Sequence, residues 1–194
     1  MITLDRWLFD AINSFVGTWT WLDNLVILLV SDFFLPVVIS AAVWSLWFTG
    51  GTWEERLGKQ MGFIYAAGGA ALSNWLIQII NLFVDRSRPF LALPEANVLF
   101  YRPTDPSFPS NAAAFAFAMA AGVWLVDRRL SLIIGAAAFV FSFGRVYAGM
   151  HYPLDVVGGA LIGILVTYAF FWMLGLLQHL VNFAFRVARF FYLA

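Results

Sequence analysis

Apolar positions run in long stretches along this chain, and polar ones gather at their ends. The first stretch has two faces. Leu4, Trp7, Leu8, Ala11, Ile12 and Phe15 fall on one side of a helix, with Asp5, Asp10 and Asn13 elsewhere. That spacing predicts an amphipathic helix lying on a membrane rather than crossing it. A second short segment, 20–30, is expected to lie there too. From residue 32 onward the apolar runs lose their polar face. They predict spans at 32–48, 57–83, 110–126, 130–148 and 153–178, since about 20 apolar residues in a helix cross a hydrocarbon core. Pro36 falls near the start of the first span, where a proline is tolerated. The expectation is five spans, or six if 20–30 inserts. A last segment, 179–192, carries Arg186 and Arg189 and is expected at the interface.

Composition agrees with this pattern. Of the 194 residues 62% are hydrophobic and 11% charged, whereas a soluble domain is about one-quarter charged. The expected fold is an all-α integral membrane protein: one domain over 1–194, a compact bundle of these spans with interfacial helices over 1–30. Zero formal net charge offers nothing to attract nucleic acid. The absence of cysteine excludes disulfides and thiolate chemistry. Asp5 and Asp10 stand where a cleavable signal needs basic residues.

Basic residues in short connections set orientation. Arg56 and Lys59, Arg128 and Arg129, and Arg186 and Arg189 all fall on one side, expected to be cytoplasmic. The connection 84–109 and the turn 149–152 then face outward. Arg86, Arg88 and Arg102 lie in that outer connection against the charge rule, which gives them another task. Its aromatics Phe90, Phe100, Tyr101 and Phe108 argue for a packed loop.

Ionisable residues gather at the same outer ends. Arg145 closes the fourth span, and His151 and Asp155 open the fifth. Charges at membrane depth are expensive and functional by default. Four residues apart, Asp155 can accept the Nδ1 proton of His151, leaving Nε2 as base, metal ligand or nucleophile. One His and one Asp amid arginines lack the ligand count for a metal, so no metal or cofactor is expected. His179 is expected to be an interface residue. Ser110 reads as an N-cap, with first-turn amides behind it that suit an anion. Arginine forks fit phosphate and carboxylate alike. Asn74, Gln78 and Asn81 share one helical face; the first two are expected to join helices and Asn81 to reach the site. Gly159 and Gly163 form a G-x-x-x-G pair for close helix packing.

These residues together resemble the type 2 phosphatidic acid phosphatase family, whose motifs are K-x6-R-P, P-S-G-H and S-R-x5-H-x3-D. Arg145, His151 and Asp155 fit the third, with Gly144 in place of its serine and Ser142 two positions earlier. Arg88-Pro89 fits the first, with Asn81 at its lysine. Pro109-Ser110-Asn111-Ala112 fits the second, with Asn for Gly and Ala for His. The resemblance implies a metal-free lipid phosphatase. His151 would form a phosphohistidine through Nε2, Asp155 would support its ring, and Arg88, Arg145 and the Ser110 and Asn111 amides would hold the phosphoryl group. Asn81 would offer a hydrogen bond without charge, with Arg86 or Arg102 as substitutes for the missing lysine. The short bacterial members suggest an isoprenoid diphosphate such as undecaprenyl diphosphate; phosphatidylglycerophosphate, phosphatidate and lipid A are the other substrates in view.

The family's second-motif histidine protonates the leaving oxygen, and here that position is Ala112. Three readings stay open: a histidine replaced to trap substrate, a protein that binds lipid phosphate without turnover, or an enzyme whose leaving group needs little help. A transporter would place polar residues through the whole bilayer depth, whereas here they cluster at one end.

Overall fold

Every regular element is a helix among residues 4–177, the part of the chain that the computed structural model describes. The expected interface segment 179–192, with His179, Arg186 and Arg189, lies outside the described residues.

Helix α1 (Leu4–Asn13) is amphipathic, but its polar stripe faces the protein. Asp5, Phe9 and Asn13, spaced by four, are buried, while Leu4 and Trp7 are 72% and 59% exposed. The exposed side is the apolar side, as suits a helix resting against lipid. Helix α2 (Thr20–Val30) departs from the expectation for 20–30. It pairs across a three-residue break with α3 (Phe34–Ser45) and the 3-10 turn Leu46–Phe48 at a bend of 45°, and only together do they pass for a membrane span. Eleven residues of α2 rise about 17 Å, too little to cross alone.

Among the described residues three helices are long and apolar enough to cross: α4 (Trp53–Ile80), α7 (Arg128–Tyr147) and α8 (Pro153–Leu176). Thr52 caps α4 by accepting the Glu55 amide at 3.2 Å, and Asp127 caps α7 by accepting that of Leu130 at 3.0 Å. The span expected at 110–126 is instead α6 (Asn111–Trp124), 14 residues and about 21 Å long. It packs against α4, α7 and α8, and Ala113, Ala114, Ala116 and Ala118 are wholly buried. Small side chains let neighbouring backbones approach closely where lipid supplies no hydrophobic drive. The approach to α8 is close. A Cβ on Gly159 would stand 2.1 Å from the Ser110 carbonyl oxygen, and one on Gly163 2.3 Å from that of Ala114. The glycine pair thereby sets the start of α8 beside the start of α6.

The connection 84–109 is packed, as its aromatics predict. It contains the single turn α5 (Pro89–Ala92), buries Phe90 and Leu93, and is tied down by Ser107 N–H donating to the Arg86 carbonyl at 2.7 Å. Asn13 of α1 clamps it from the side, donating to the carbonyls of Asn97 and Tyr147 at 2.8 Å each and accepting the Asn97 amide at 2.8 Å.

Candidate active site

At the end of the bundle where α6 and α8 begin and α7 finishes lies a cavity of about 350 Å³. His151, Arg88, Arg145, Asn111 and Ala112 all line it, residues far apart in sequence brought to one place.

His151 sits in the turn between α7 and α8, almost fully buried. Its Nδ1 is 2.9 Å from the Ser107 carbonyl oxygen, and its Nε2 is 3.2 Å from Arg88 Nη1. A carbonyl can only accept and a guanidinium can only donate. The ring is therefore the neutral tautomer with its proton on Nδ1 and a lone pair on Nε2, turned toward Arg88. Burial holds the imidazole pKa well below the usual 6.5, and the positive charges of Arg88 and Arg145 push the same way, against the hydrogen bond to Ser107.

Asp155 corrects the sequence expectation. Its Oδ2 stands 4.0 Å from His151 Nδ1, so it does not take that proton. The reason is local: Oδ2 accepts the Ser107 hydroxyl at 2.5 Å and closes the start of α8 by accepting the Tyr152 amide at 2.8 Å. Asp155 acts on the ring through Ser107, whose carbonyl then orients Nδ1. Its Oδ1 receives Arg86 Nη1 at 2.5 Å.

The two arginines of the cavity are held by carboxylates outside the motifs. Arg88 donates from Nε to the Asp105 carbonyl at 2.9 Å, from Nη2 to the Asp105 carboxylate at 2.9 Å, and from Nη1 to the Met150 carbonyl at 3.0 Å. Arg145 pairs with Asp32, whose second carboxylate oxygen accepts the Tyr101 hydroxyl. The guanidinium of Arg145 also lies 5.2 Å from the Phe141 ring centroid.

Ser110 caps α6 as expected, its hydroxyl accepting the Ala113 amide at 3.4 Å. Its own amide is not available to a phosphate, because it donates to the Asp155 carbonyl at 2.9 Å. The next two amides, Asn111 and Ala112, stand at the first two positions of the helix and have no intrahelical acceptor. Both residues line the cavity, so the free amides at the start of α6 are displaced by one residue from the expectation.

The remaining assignments shift too. Asn81 caps the end of α4 and is not among the residues lining the cavity, whereas Asn74, assigned to helix contacts, is. Gln78 is exposed rather than wedged between helices. Arg86 lies behind the site, bridging Asp155 and Asp5. Arg102 lies outside the cavity lining, 5.8 Å from the Phe90 ring centroid. Sequence reasoning missed Ser107, Asp32, Tyr101 and Asp105. Only Asp32 carried a usable signal, as the one charged residue between Asp23 and Glu54 in an otherwise apolar stretch. Among the described residues no group of three or more His, Asp or Glu side chains is placed to hold a metal ion.

Residues 62–178 match the PAP2 superfamily. The chain is 32% identical over 162 residues to the putative undecaprenyl-diphosphatase YbjG of Escherichia coli (strain K12), covering 81% of this chain and 76% of that protein. It is 30% identical over 142 residues to the bacitracin transport permease protein BcrC of Bacillus licheniformis, covering 71% and 70%. Its fold is similar to the crystal structure of Aquifex aeolicus LpxE, with a TM-score of 0.68 and 27% identity over 86% of this chain and 94% of that one. With the family match running over more than half of its length and through the turn that carries His151, the chain belongs to the PAP2 superfamily.

Proposed function

We propose that the chain removes the terminal phosphate of a lipid diphosphate, preferably an isoprenoid diphosphate such as undecaprenyl diphosphate, through a phosphohistidine on His151. Lipid phosphatase or diphosphatase is the enzyme class that its family and relatives give it. One observation carries the finer reading. A neutral His151, its Nδ1 proton tied to Ser107, turns the Nε2 lone pair toward Arg88 in a cavity also lined by Arg145 and the start of α6.

The chemistry follows from that arrangement. Nε2 attacks the terminal phosphorus, the bridging P–O bond breaks, and its electron pair leaves on the lipid monophosphate. Water then cleaves the N–P bond, releasing inorganic phosphate and restoring the ring. Phosphoryl transfer depends mainly on positioning and on stabilising charge spread over the equatorial oxygens. Arg88, Arg145 and the Asn111 and Ala112 amides supply donors for those oxygens. Asp155, with Ser107, supports the imidazole as it gains positive charge. The whole chain acts as one domain, and 84–109 forms the outer wall of the site. Arg128 and Arg129 stand at the opposite end of α7 from Arg145, about 25 Å away by helix rise. By the positive-inside rule this supports a site on the exterior or periplasmic face.

Ala112 lines the cavity where the resemblance places a proton donor. General acid catalysis is worth roughly a hundred- to ten-thousand-fold. A lipid diphosphate expels a phosphate monoester whose second pKa is about 6, whereas a phosphatidate expels an alkoxide with a far weaker conjugate acid. Turnover of a phosphatidate is therefore impaired far more than that of a diphosphate. The same alanine favours a second reading, a lipid-phosphate-binding protein without turnover.

Phosphate release in detergent, by this chain and by Ala112→His, separates the two on undecaprenyl diphosphate and phosphatidate. The unaltered chain is expected to act on the diphosphate, and Ala112→His to gain roughly a hundred-fold or more on phosphatidate but less on the diphosphate. Equal gains on both lipids overturn the leaving-group argument. Binding of both lipids with no release by either version gives the binding protein.

A further inference from the structure

Asp5 is placed where a membrane anchor has no use for a carboxylate. It stands in the first turn of α1, is 6% exposed, and has both oxygens engaged. Oδ2 receives Arg86 Nη2 at 2.5 Å, and Oδ1 receives the Leu154 amide of α8 at 2.9 Å. Arg86 turns its other terminal nitrogen, Nη1, to Asp155 Oδ1 at 2.5 Å, and its guanidinium lies 4.3 Å from the Tyr152 ring centroid. Asp155 holds the Ser107 hydroxyl, and the Ser107 carbonyl holds His151 Nδ1. An unbroken polar chain thus runs from α1 to the nucleophile.

We propose that Asp5 is a positioning residue for His151, acting through Arg86, Asp155 and Ser107, and that α1 is a working part of the active site. The proposal rests on the phosphatase reading above and adds a residue to it. Two physical effects support it. The first is geometric. Arg86 is about one-third exposed at its side chain, so a lone pairing with Asp155 would leave its fork free to swing toward water. A carboxylate on each terminal nitrogen fixes the guanidinium plane, and stacking on Tyr152 locks it. Asp155, with no exposure, then keeps its partner and the direction of both its oxygens. The second effect is charge. Asp155 and Arg86 alone sum to zero; with Asp5 the cluster behind the imidazole carries one net negative charge. The ring becomes positive as the N–P bond forms, so that charge favours the transition state over the ground state.

The test is Asp5→Asn in the full chain, with Asp10→Asn as the control. Asparagine keeps an oxygen for the Leu154 amide, and Asn13 still clamps the far end of α1, so docking is preserved while the charge is lost. Asp10 lies on the same helix, half-exposed, in a loose 3.7 Å pairing with Arg6. On undecaprenyl diphosphate, Asp5→Asn is expected to lower kcat roughly ten- to a hundred-fold, the scale of a slightly misplaced reacting group, with little change in KM. Asp10→Asn is expected to change neither. In a His179→Gln background the 15N signals of His151 report the ring directly. A single tautomer with the proton on Nδ1 is expected for the otherwise unaltered chain, and a mixture in Asp5→Asn. An Asp5→Asn protein that matches Asp10→Asn in kcat and in ring signals overturns the proposal, as does a loss confined to KM. Arg86→Lys provides a second arm, because an ammonium cannot bridge both carboxylates as a fork does. It is expected to show the same kcat loss, and full kcat there overturns the clamp. A chain that hydrolyses no lipid phosphate sinks the phosphatase reading, and the ring signals then decide the role of Asp5 alone.

Discussion

The two sides of the cavity are built differently. On the His151 side the ring and the groups that hold it are linked by hydrogen bonds. Ser107 holds Nδ1, Arg88 faces Nε2, Asp155 holds Ser107, and Arg86 holds Asp155. On the facing side the start of α6 offers two backbone amides and the methyl group of Ala112, with no side chain that can give up a proton. On the proposed reading one side serves nucleophilic attack and the other only holds an anion. If the proposed reading holds, the difference teaches that the two halves of a phosphoryl-transfer site are separable. Charge stabilisation and nucleophile orientation can stand intact where acid assistance is absent, and the leaving group then decides what is turned over.

The largest effect is expected from breaking the His151 side. His151→Asn removes the attacking nitrogen, so turnover of undecaprenyl diphosphate should fall by roughly ten-thousand-fold or more, the scale of losing a nucleophile outright. Binding of the lipid, read by co-purification or by fluorescence of a labelled analogue, should persist, because the arginines and the amides of α6 remain. Retained turnover would move the nucleophile elsewhere.

A smaller effect sharpens the same contrast through pH. The neutral ring is favoured by burial and by Arg88 and Arg145, so its pKa lies below 6.5. The nucleophile should then stay unprotonated as pH falls through 6.5, and the acid limb of kcat/KM should fall below that point. Stability also falls on the acid side, but from a higher pH. Between the depressed folded value and 6.5 the unfolded chain binds the extra proton, so this group costs stability as pH drops through that window. A titration of the His151 15N signals centred at or above 6.5 would contradict the electrostatic account.

The smallest effect is expected from Arg102→Ala. Its guanidinium lies near Phe90 and outside the cavity lining, so KM for the diphosphate should change by less than about threefold, against the larger loss that removing a phosphate-bound arginine brings. A marked rise in KM would bring Arg102 into the anion site after all.

Much of the site was legible because its residues are chemically conspicuous in an apolar chain. Arg88, Arg145, His151 and Asp155 stand out where charges are costly, and the spacing of the last three carries the family resemblance. Asn111 followed from the helix start at Ser110 and Ala112 from the family's second motif, but the Ser110 amide, expected to face a phosphate, is taken by Asp155. Ser107 was not legible, since a serine among prolines looks like any turn residue and its decisive atom is a backbone carbonyl. Asn74 and Asn81 exchanged roles because a helical stripe gives the face but not which turn of it meets the cavity. The hydrogen-bond partner of His151 Nδ1 was misassigned for a related reason. The i, i+4 rule holds inside a helix, and His151 lies just before α8 begins.

What the sequence determined by itself is the membrane-embedded helical class, the clustering of charge at one end of the helices and the candidate nucleophile, His151. These depend on local composition, periodicity and short spacings, which the chain carries along its length. Tertiary structure alone decided that α2 and α3 form a bent pair, that α6 is short and enclosed, and that α1 turns its polar stripe inward to bring Asp5 to Arg86. An amphipathic pattern separates two faces but does not say which one meets the protein, and in a bilayer the apolar face has a second solvent to turn to.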